Sequence, residues 1–282
     1  MSHDRTLVIG ATGNIGRHAV DLLHGAGADV RAMARNPAAL PSGVEAVRGD
    51  LTDLPSLRAA PREVDSVLLV WPFATVPANP AIIETIGQHA RRIVFVSSGA
   101  VRDDVAEQHG PIAQFHAEVE QQIEHSELDW TFLRPHAFAT NVLSWAPEIR
   151  AGGVVRGAFG EAQLSPIHER DIAAVAVEAL TSSGHHGAKH TLTGPELLTQ
   201  ADQVRIIGEA LGRPLRWEEI PRAEAAAKMF PGSPREVAEA ALDGYAQLAR
   251  TPGLVTSTVR DVTGRPAKTF RQWVADHTAD FS

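Results

Sequence analysis

The chain has no cysteine and a single tyrosine, Tyr245, among its 282 residues. The first absence excludes disulfides, thiolate nucleophiles and cysteine-ligated zinc or iron–sulfur centres. No apolar run is long enough to span a bilayer, and Met1-Ser2-His3-Asp4-Arg5 leads straight into an apolar stretch without a signal-type region, so the cytoplasm is the expected location. There is no long basic block, and the formal charge is −8 from 26 basic and 34 acidic residues. General attraction to nucleic acid or to a membrane surface is therefore disfavoured. No Gly-x-Ser-x-Gly elbow is present, which weakens a hydrolase reading, and no repeat of fixed period is evident. What remains is a 44% hydrophobic chain able to bury a substantial core, sized for one main domain with a smaller appended lobe.

The most informative stretch is Leu7-Val8-Ile9-Gly10-Ala11-Thr12-Gly13-Asn14-Ile15-Gly16, an apolar strand entering a glycine-punctuated turn and a helix. Gly10 lets the chain leave the strand tightly, Gly13 lets backbone approach a pyrophosphate, and Gly16 removes a Cβ where helix and strand pack. The helix start adds N–H groups and the positive end of its dipole. The spacing is G-x-x-G-x-x-G rather than G-x-G-x-x-G, so the context carries the inference. Ile15, Ala19, Leu22 and Leu23 share a helical face, Gly25-Ala26-Gly27 ends the helix, and a second strand runs from Asp29 to Arg35. Where an NAD site would place Asp or Glu for the ribose 2′-hydroxyl, this chain has Arg35-Asn36-Pro37. A guanidinium there grips a 2′-phosphate, so NADP(H) is the expected cofactor. Arg31, earlier in the strand, is a weaker second candidate.

Strand-like runs at Val44 to Val47, Ser66 to Trp71, Ile93 to Ser97 and Trp130 to Leu133 alternate with helical faces marked by Ile82, Ile83, Ile86 and Ala90, and by Ile112, Phe115, Val119 and Ile123. Several strands are continuously apolar, as buried parallel strands are, and the alternation reads as a doubly wound α/β fold. After Asn141 loops and short strands are expected. Asp171 is expected to cap a helix bearing Ile172, Val175, Ala176 and Ala179, followed by a strand at His190 to Thr193 and helices near Gln203 to Leu211 and Arg235 to Arg250.

Taken together, Val8 to Gly16, Arg35-Asn36-Pro37, Gly49-Asp50-Leu51, Phe95-Val96-Ser97-Ser98, Thr131-Phe132-Leu133-Arg134-Pro135 with Phe138 and Asn141, and Leu192-Thr193-Gly194-Pro195 resemble the NmrA-like branch of atypical short-chain dehydrogenase/reductases. The resemblance covers nearly the whole chain and implies a Rossmann-type doubly wound parallel sheet with a smaller C-terminal substrate lobe. The NADP(H)-binding Rossmann domain is expected over residues 1–141, and 142–282 mainly as the lobe, with about 154–193 returning to the sheet. The same resemblance places Gly10, Thr12, Gly13, Asn14 and Ile15 around the pyrophosphate and Arg35 at the 2′-phosphate. It sets Asp50 and Leu51 beside adenine, Val70 and Trp71 on the adenosine ribose side, Ser97 and Ser98 near the nicotinamide ribose, and Pro135 and His136 near the carboxamide. For Asp50 a turn role stands beside the adenine contact.

The superfamily's Tyr-x-x-x-Lys pair does not map onto the chain: the corresponding segment Ile112-Ala113-Gln114-Phe115-His116 puts Ile112 and His116 at those positions. A standard alcohol–ketone mechanism is disfavoured. His116 is the candidate cofactor contact or proton donor, against a packing role on its helix beside Glu120. Trp71, Phe73, His136, Phe138 and Trp145 could wall a pocket for a flat apolar substrate, with Phe73, Phe138 and Trp145 as its proposed lining. His185, His186 and His190 read as a loop, so no metal is expected, and His168 with Asp171 ranks low as an acid–base pair. Two functions follow: an NADPH-dependent reductase passing hydride to a quinone, enone or azo-like small molecule, or a non-catalytic NADP(H) sensor of the NmrA type acting through a protein partner.

Overall fold

A computed structural model describes residues 5–37, 40–72 and 77–282. Strand β1, Thr6–Ile9, is buried along its whole length, as expected of a parallel strand covered on both faces. It pairs with β2, Val30–Ala34, on one side and with β4, Ser66–Val70, on the other. With β3 (Glu45–Arg48), β5 (Arg92–Val96), β6 (Asp129–Pro135) and β11 (Ala188–Leu192), they form a seven-stranded sheet ordered β11-β6-β5-β4-β1-β2-β3. The pairings from β3 through β6 are all parallel. This is the doubly wound Rossmann-type architecture read from the sequence, with the order reversing between β1 and β4.

Side-chain alternation along the strands decides what each face carries. Leu7, Ile9, Val67, Leu69, Ile93 and Phe95 join the apolar stripes of α3 (Pro80–Gly87) and α4 (Pro111–Glu124) in one core. Helix α1, Asn14–Gly25, packs against α6, Glu169–Thr181, and both lean on strands of the sheet. Small buried residues, Gly16 and Ala19 on α1 and Ala173, Ala176 and Ala179 on α6, suit that close approach.

The chain divides into two compact units. The first comprises Met1–Gln108, Ile112–Pro135 and Glu169–Thr191 and holds the nucleotide-type sheet. The second comprises His109–Pro111, His136–His168 and Leu192–Ser282. Within it are three two-stranded ladders. β7 (Ala137–Phe138) runs parallel to β10 (Pro166–Ile167), β9 (Gln163–Leu164) antiparallel to β12 (Leu198–Thr199), and β8 (Val154–Gly157) parallel to β13 (Arg216–Glu219). Its main core gathers Val155, Ile149 of α5 (Ala146–Gly152), Val204 and Ile207 of α7 (Gln200–Ala210), and Phe270, Trp273 and Val274 of α11 (Phe270–Asp276).

Two sequence expectations change. Helix α6 begins at Glu169, so Asp171 lies inside its first turn rather than at its cap, where a carboxylate still favours the positive end of the dipole. Helices α8 (Arg222–Met229), α10 (Thr258–Thr263) and α11 were not anticipated, whereas α9, Arg235–Leu248, was.

Candidate functional site

In the first unit the C-terminal ends of β1, β2, β4, β5 and β6 carry the residues singled out in the sequence, and the reversal between β1 and β4 puts Gly10 beside Val70. Gly10 has φ of +83°, and a Cβ there would lie 3.0 Å from the Val70 carbonyl oxygen. Gly16 is required for a different reason: a Cβ on it would meet the Gly10 carbonyl oxygen at 2.2 Å. Only glycine lets α1 start directly against the turn. Gly13 is the helix N-cap, with no side-chain cap and no acidic residue in the first turn. Thr12, Gly13 and Asn14 are exposed, while the Ile15 side chain is buried and can offer only its backbone. An exposed, uncapped helix start without negative charge is suited to a phosphate.

Arg35 follows β2 and is exposed. Among the described residues its guanidinium makes no hydrogen bond or ion pair, although its charge helps hold the Asp50 carboxyl below the usual carboxylate value. The larger cause there is Thr52, whose backbone N–H and hydroxyl donate to Asp50 Oδ1 at 2.9 and 2.8 Å. Asp50 is thus committed to a turn, and Leu51 is buried in the sheet core. Arg31 is spent structurally, bonded to Glu45 Oε1 at 3.0 Å and to the Ala60 carbonyl at 3.1 Å.

At the other strand ends, Val70 is half-buried, whereas Trp71 is buried and packs edge-on to Phe115 with ring centres 5.7 Å apart. Ser97 is buried and donates its hydroxyl hydrogen to Glu120 Oε1 at 2.5 Å. Ser98 is half-buried, its hydroxyl accepting from the Ala100 N–H. Pro135, buried, accepts the Gly99 N–H at 2.8 Å. His116 is buried on α4, its Nδ1 donating to the Ile112 carbonyl at 2.7 Å and its ring stacked near Phe95. Burial lowers its pKa, against the opposing pull of the Ile112 carbonyl and the Glu120 charge. Near neutrality the ring is uncharged.

In the second unit His136 is exposed and Phe138 half-buried in β7. Trp145 is half-buried, edge-on to Trp217 at 5.8 Å. His168, buried, faces Asp276 at 3.3 Å. Phe73 lies outside the described residues. In the first unit His185 and His190 approach within 3.1 Å, and among the described residues no group of three or more His, Asp or Glu is arranged to hold a metal ion.

One feature of the first unit went unread in the sequence. Arg134, buried on β6, binds both oxygens of Glu120 and both of Asp103, and Lys189 reaches Asp103 and Glu124 at 2.9 and 3.0 Å. Through Ser97 this chain of charges reaches the end of β5. Arginine inside an apolar strand was the available signal, since a buried charge requires a partner.

Sheet order, glycine turn and bare helix start together define a nicotinamide-nucleotide-binding protein, and the residues present fit that cofactor. A model of the NAD(P)H-binding family matches residues 10–183, and the chain belongs to that family. Most of the motifs that resemble the NmrA-like branch of atypical short-chain dehydrogenase/reductases fall within the matched residues. Over 282 residues it is 41% identical to the (4-alkanoyl-5-oxo-2,5-dihydrofuran-3-yl)methyl phosphate reductase of Streptomyces griseus subsp. griseus, covering 98% of this chain and 99% of that one. It is 37% identical to the NAD(P)H azoreductase of Xenophilus azovorans, covering 98% of both. The fold is shared with the NADPH-dependent quinone oxidoreductase of Escherichia coli solved with NADPH, at a TM-score of 0.79 and 22% identity over 96% of this chain and 99% of the other.

Proposed function

We propose that the protein is an NADPH-dependent reductase that passes hydride to a small, flat, conjugated acceptor of the quinone, enone or azo type. The observation that carries the cofactor choice is the exposed Arg35 at the end of β2, with no partner among the described residues. A guanidinium there attracts the 2′-phosphate of NADPH, where a carboxylate would repel it. Reductase chemistry is supported by the two relatives above, a furanone phosphate reductase and an azoreductase, each matched over nearly its whole length.

In this reading Thr12, Asn14 and Ile15 offer backbone N–H groups to the pyrophosphate beside Gly10 and Gly13, the Gly13 N–H itself closing the turn onto the Gly10 carbonyl at 3.0 Å, and Asp50 and Leu51 border adenine through backbone and turn. Val70 and Trp71 bound the adenosine ribose. Ser97, Ser98 and His116 flank the nicotinamide ribose, with Pro135 and His136 toward the carboxamide. Phe138 and Trp145 offer apolar surface to the acceptor. Bound dihydronicotinamide supplies the hydride, and the reduced acceptor takes one proton from solvent. His116, buried and neutral, suits a hydrogen-bond acceptor for a ribose hydroxyl better than a proton donor. Quinones, enones and azo groups need less specialised proton donation than a simple ketone, consistent with Ile112 in place of the tyrosine.

A non-catalytic NADP(H) sensor would use the same cofactor contacts, and the missing Tyr–Lys pair is what favours it. Stopped-flow oxidation of protein-bound NADPH against a panel of quinones, enones and azo dyes separates the two. Acceptor-dependent oxidation is expected; tight NADPH binding with no oxidation across the panel would leave the sensor.

A further inference from the structure

Within the first unit a groove of about 810 Å³ runs between α3 and the last turns of α4. That volume falls in the range of roughly 300–1,000 Å³ usual for small-molecule sites. Helix α3 ends at Gly87 and the chain enters β5 at Arg92; α4 ends at Glu124 and the chain enters β6 at Asp129. Both helix ends therefore lie where those strands begin, at the edge of the sheet opposite the nucleotide crevice, and the groove shares no residue with that crevice.

Its charge is of one sign. Glu84 and Glu127 stand exposed on its walls, and among the described residues no lysine or arginine lines it. Neither carboxylate makes an ion pair among the described residues, whereas Asp103 and Glu124 elsewhere in the unit are held by Arg134 and Lys189. His125 is the one lining group able to take a positive charge, and its Nδ1 donates to the Gln121 carbonyl at 2.7 Å. Both helices bring their C-terminal, negative ends to the groove, and neither has a basic residue in its last turn to offset them.

Two lining residues point to a ligand. Gly87 is not in the left-handed region, so no turn requires glycine there, and a Cβ on it would meet only Leu128 Cγ at 4.0 Å. Glycine in a helix is less stable than alanine, and what its absent methyl group provides here is room in the groove. Gln122 keeps its Oε1 enclosed and without a hydrogen-bond partner among the described residues. An enclosed acceptor without a donor is costly, and a ligand N–H brought into the groove supplies one to that amide. Pro80 and Ile83 make the wall along α3 apolar.

We propose that this groove binds an aliphatic polyamine, with its methylene chain along Pro80, Ile83 and Gly87 and its ammonium groups at Glu84, Glu127 and the Gln122 amide. The apolar strip and the size of the groove suit an organic cation, while among the described residues no three acidic or histidine side chains converge as a metal ion requires. The site is independent of the reductase reading.

Calorimetric titration at about 100 mM salt, where long-range attraction between charges is screened, tests it with spermidine and, for comparison, magnesium chloride. The proteins are wild type, Glu84→Gln/Glu127→Gln, Gly87→Ala and a charge-matched control, Glu107→Gln/Glu161→Gln, which removes two exposed carboxylates outside the groove. Spermidine is expected to bind wild type and the control alike. Its affinity should fall about tenfold or more in Glu84→Gln/Glu127→Gln and about threefold or more in Gly87→Ala, whose methyl group occupies the groove. Gly87→Ala should keep the wild-type circular dichroism and melt no lower than wild type, so that its loss of affinity is not one of folding. Should it fail to fold, the carboxylate variant decides alone. No heat from spermidine in wild type, unchanged affinity in the groove variants, or an equal loss in the control overturns the proposal. Magnesium binding as tightly as spermidine, with the same dependence on Glu84 and Glu127, would assign the groove to a metal ion and overturn it as well.

Discussion

The residues at the crevice separate into those whose side chains are available and those the fold has already engaged. Arg35, Thr12 and Asn14 are exposed, whereas Trp71, Leu51 and Ser97 are buried, so the latter group contributes through backbone or through what it holds in place. Glu120 is the most consequential of the engaged residues, because Arg134 and Ser97 both depend on its carboxylate. Its side chain is 4% exposed and that of Arg134 is 8%. Replacing Glu120 by alanine leaves Arg134 with only the partly exposed Asp103, and a loss of about 3–5 kcal/mol is expected by chemical denaturation. A loss below about 1 kcal/mol would mean the pair is solvated. His116 gives a pH prediction. Burial depresses its pKa in the folded chain, so the unfolded chain binds the extra proton, and this contribution to stability is full above pH 6.5 and declines as pH falls through the lower folded value. His190 is depressed by burial in the same sense. Unfolding free energy measured between pH 5 and 7.5 is expected to fall toward acid in wild type and more gently in His116→Asn; identical slopes would contradict it. Arg134 was legible as an anomaly inside an apolar strand, but its partner was not, since several carboxylates lie within reach along the chain and only the packing of α4 against the sheet selects Glu120.

The element that determines the site is the β1 turn into α1. Because a Cβ on Gly16 would lie 2.2 Å from the Gly10 carbonyl oxygen, Gly16→Ala must push α1 away from the turn whose N–H groups face the phosphates. It is expected to cost about 1–3 kcal/mol and to weaken NADPH and NADH equally. Equal affinity to wild type for both nucleotides would show that the helix start plays no part in binding. This element could be read from sequence in detail because steric demand dictated each glycine. The buried strands were equally legible from their continuous apolar runs, which end within one or two residues of the observed bounds. Elsewhere local signals competed. In His168-Glu169-Arg170-Asp171 several residues could open a helix, and the chain begins α6 before Asp171. Helix α11 carries a capping box, Thr269 with Gln272, but is too short for its apolar stripe to mark a helix by periodicity.

For the whole molecule, topology was legible from the alternation of strands and helices, which implied the doubly wound sheet. The return of about 154–193 to that sheet was expected from the family resemblance rather than from local composition, and the first unit takes in Glu169–Thr191. The chain's function rests on which nucleotide it selects. Anything that binds only the folded state raises stability by an amount set by its concentration relative to Kd, about 2.7 kcal/mol at a hundredfold excess over Kd. Thermal denaturation is therefore expected to shift upward more with NADPH than with an equal concentration of NADH, and an equal shift would contradict selection. The most direct measurement is calorimetric titration of NADPH and NADH into wild type and Arg35→Ala side by side. Wild type should prefer NADPH, and the substitution should weaken NADPH by about tenfold or more while leaving NADH nearly unchanged, because only NADPH carries the phosphate that the guanidinium meets. An unchanged ratio of the two affinities, or no heat with either nucleotide, would contradict the account.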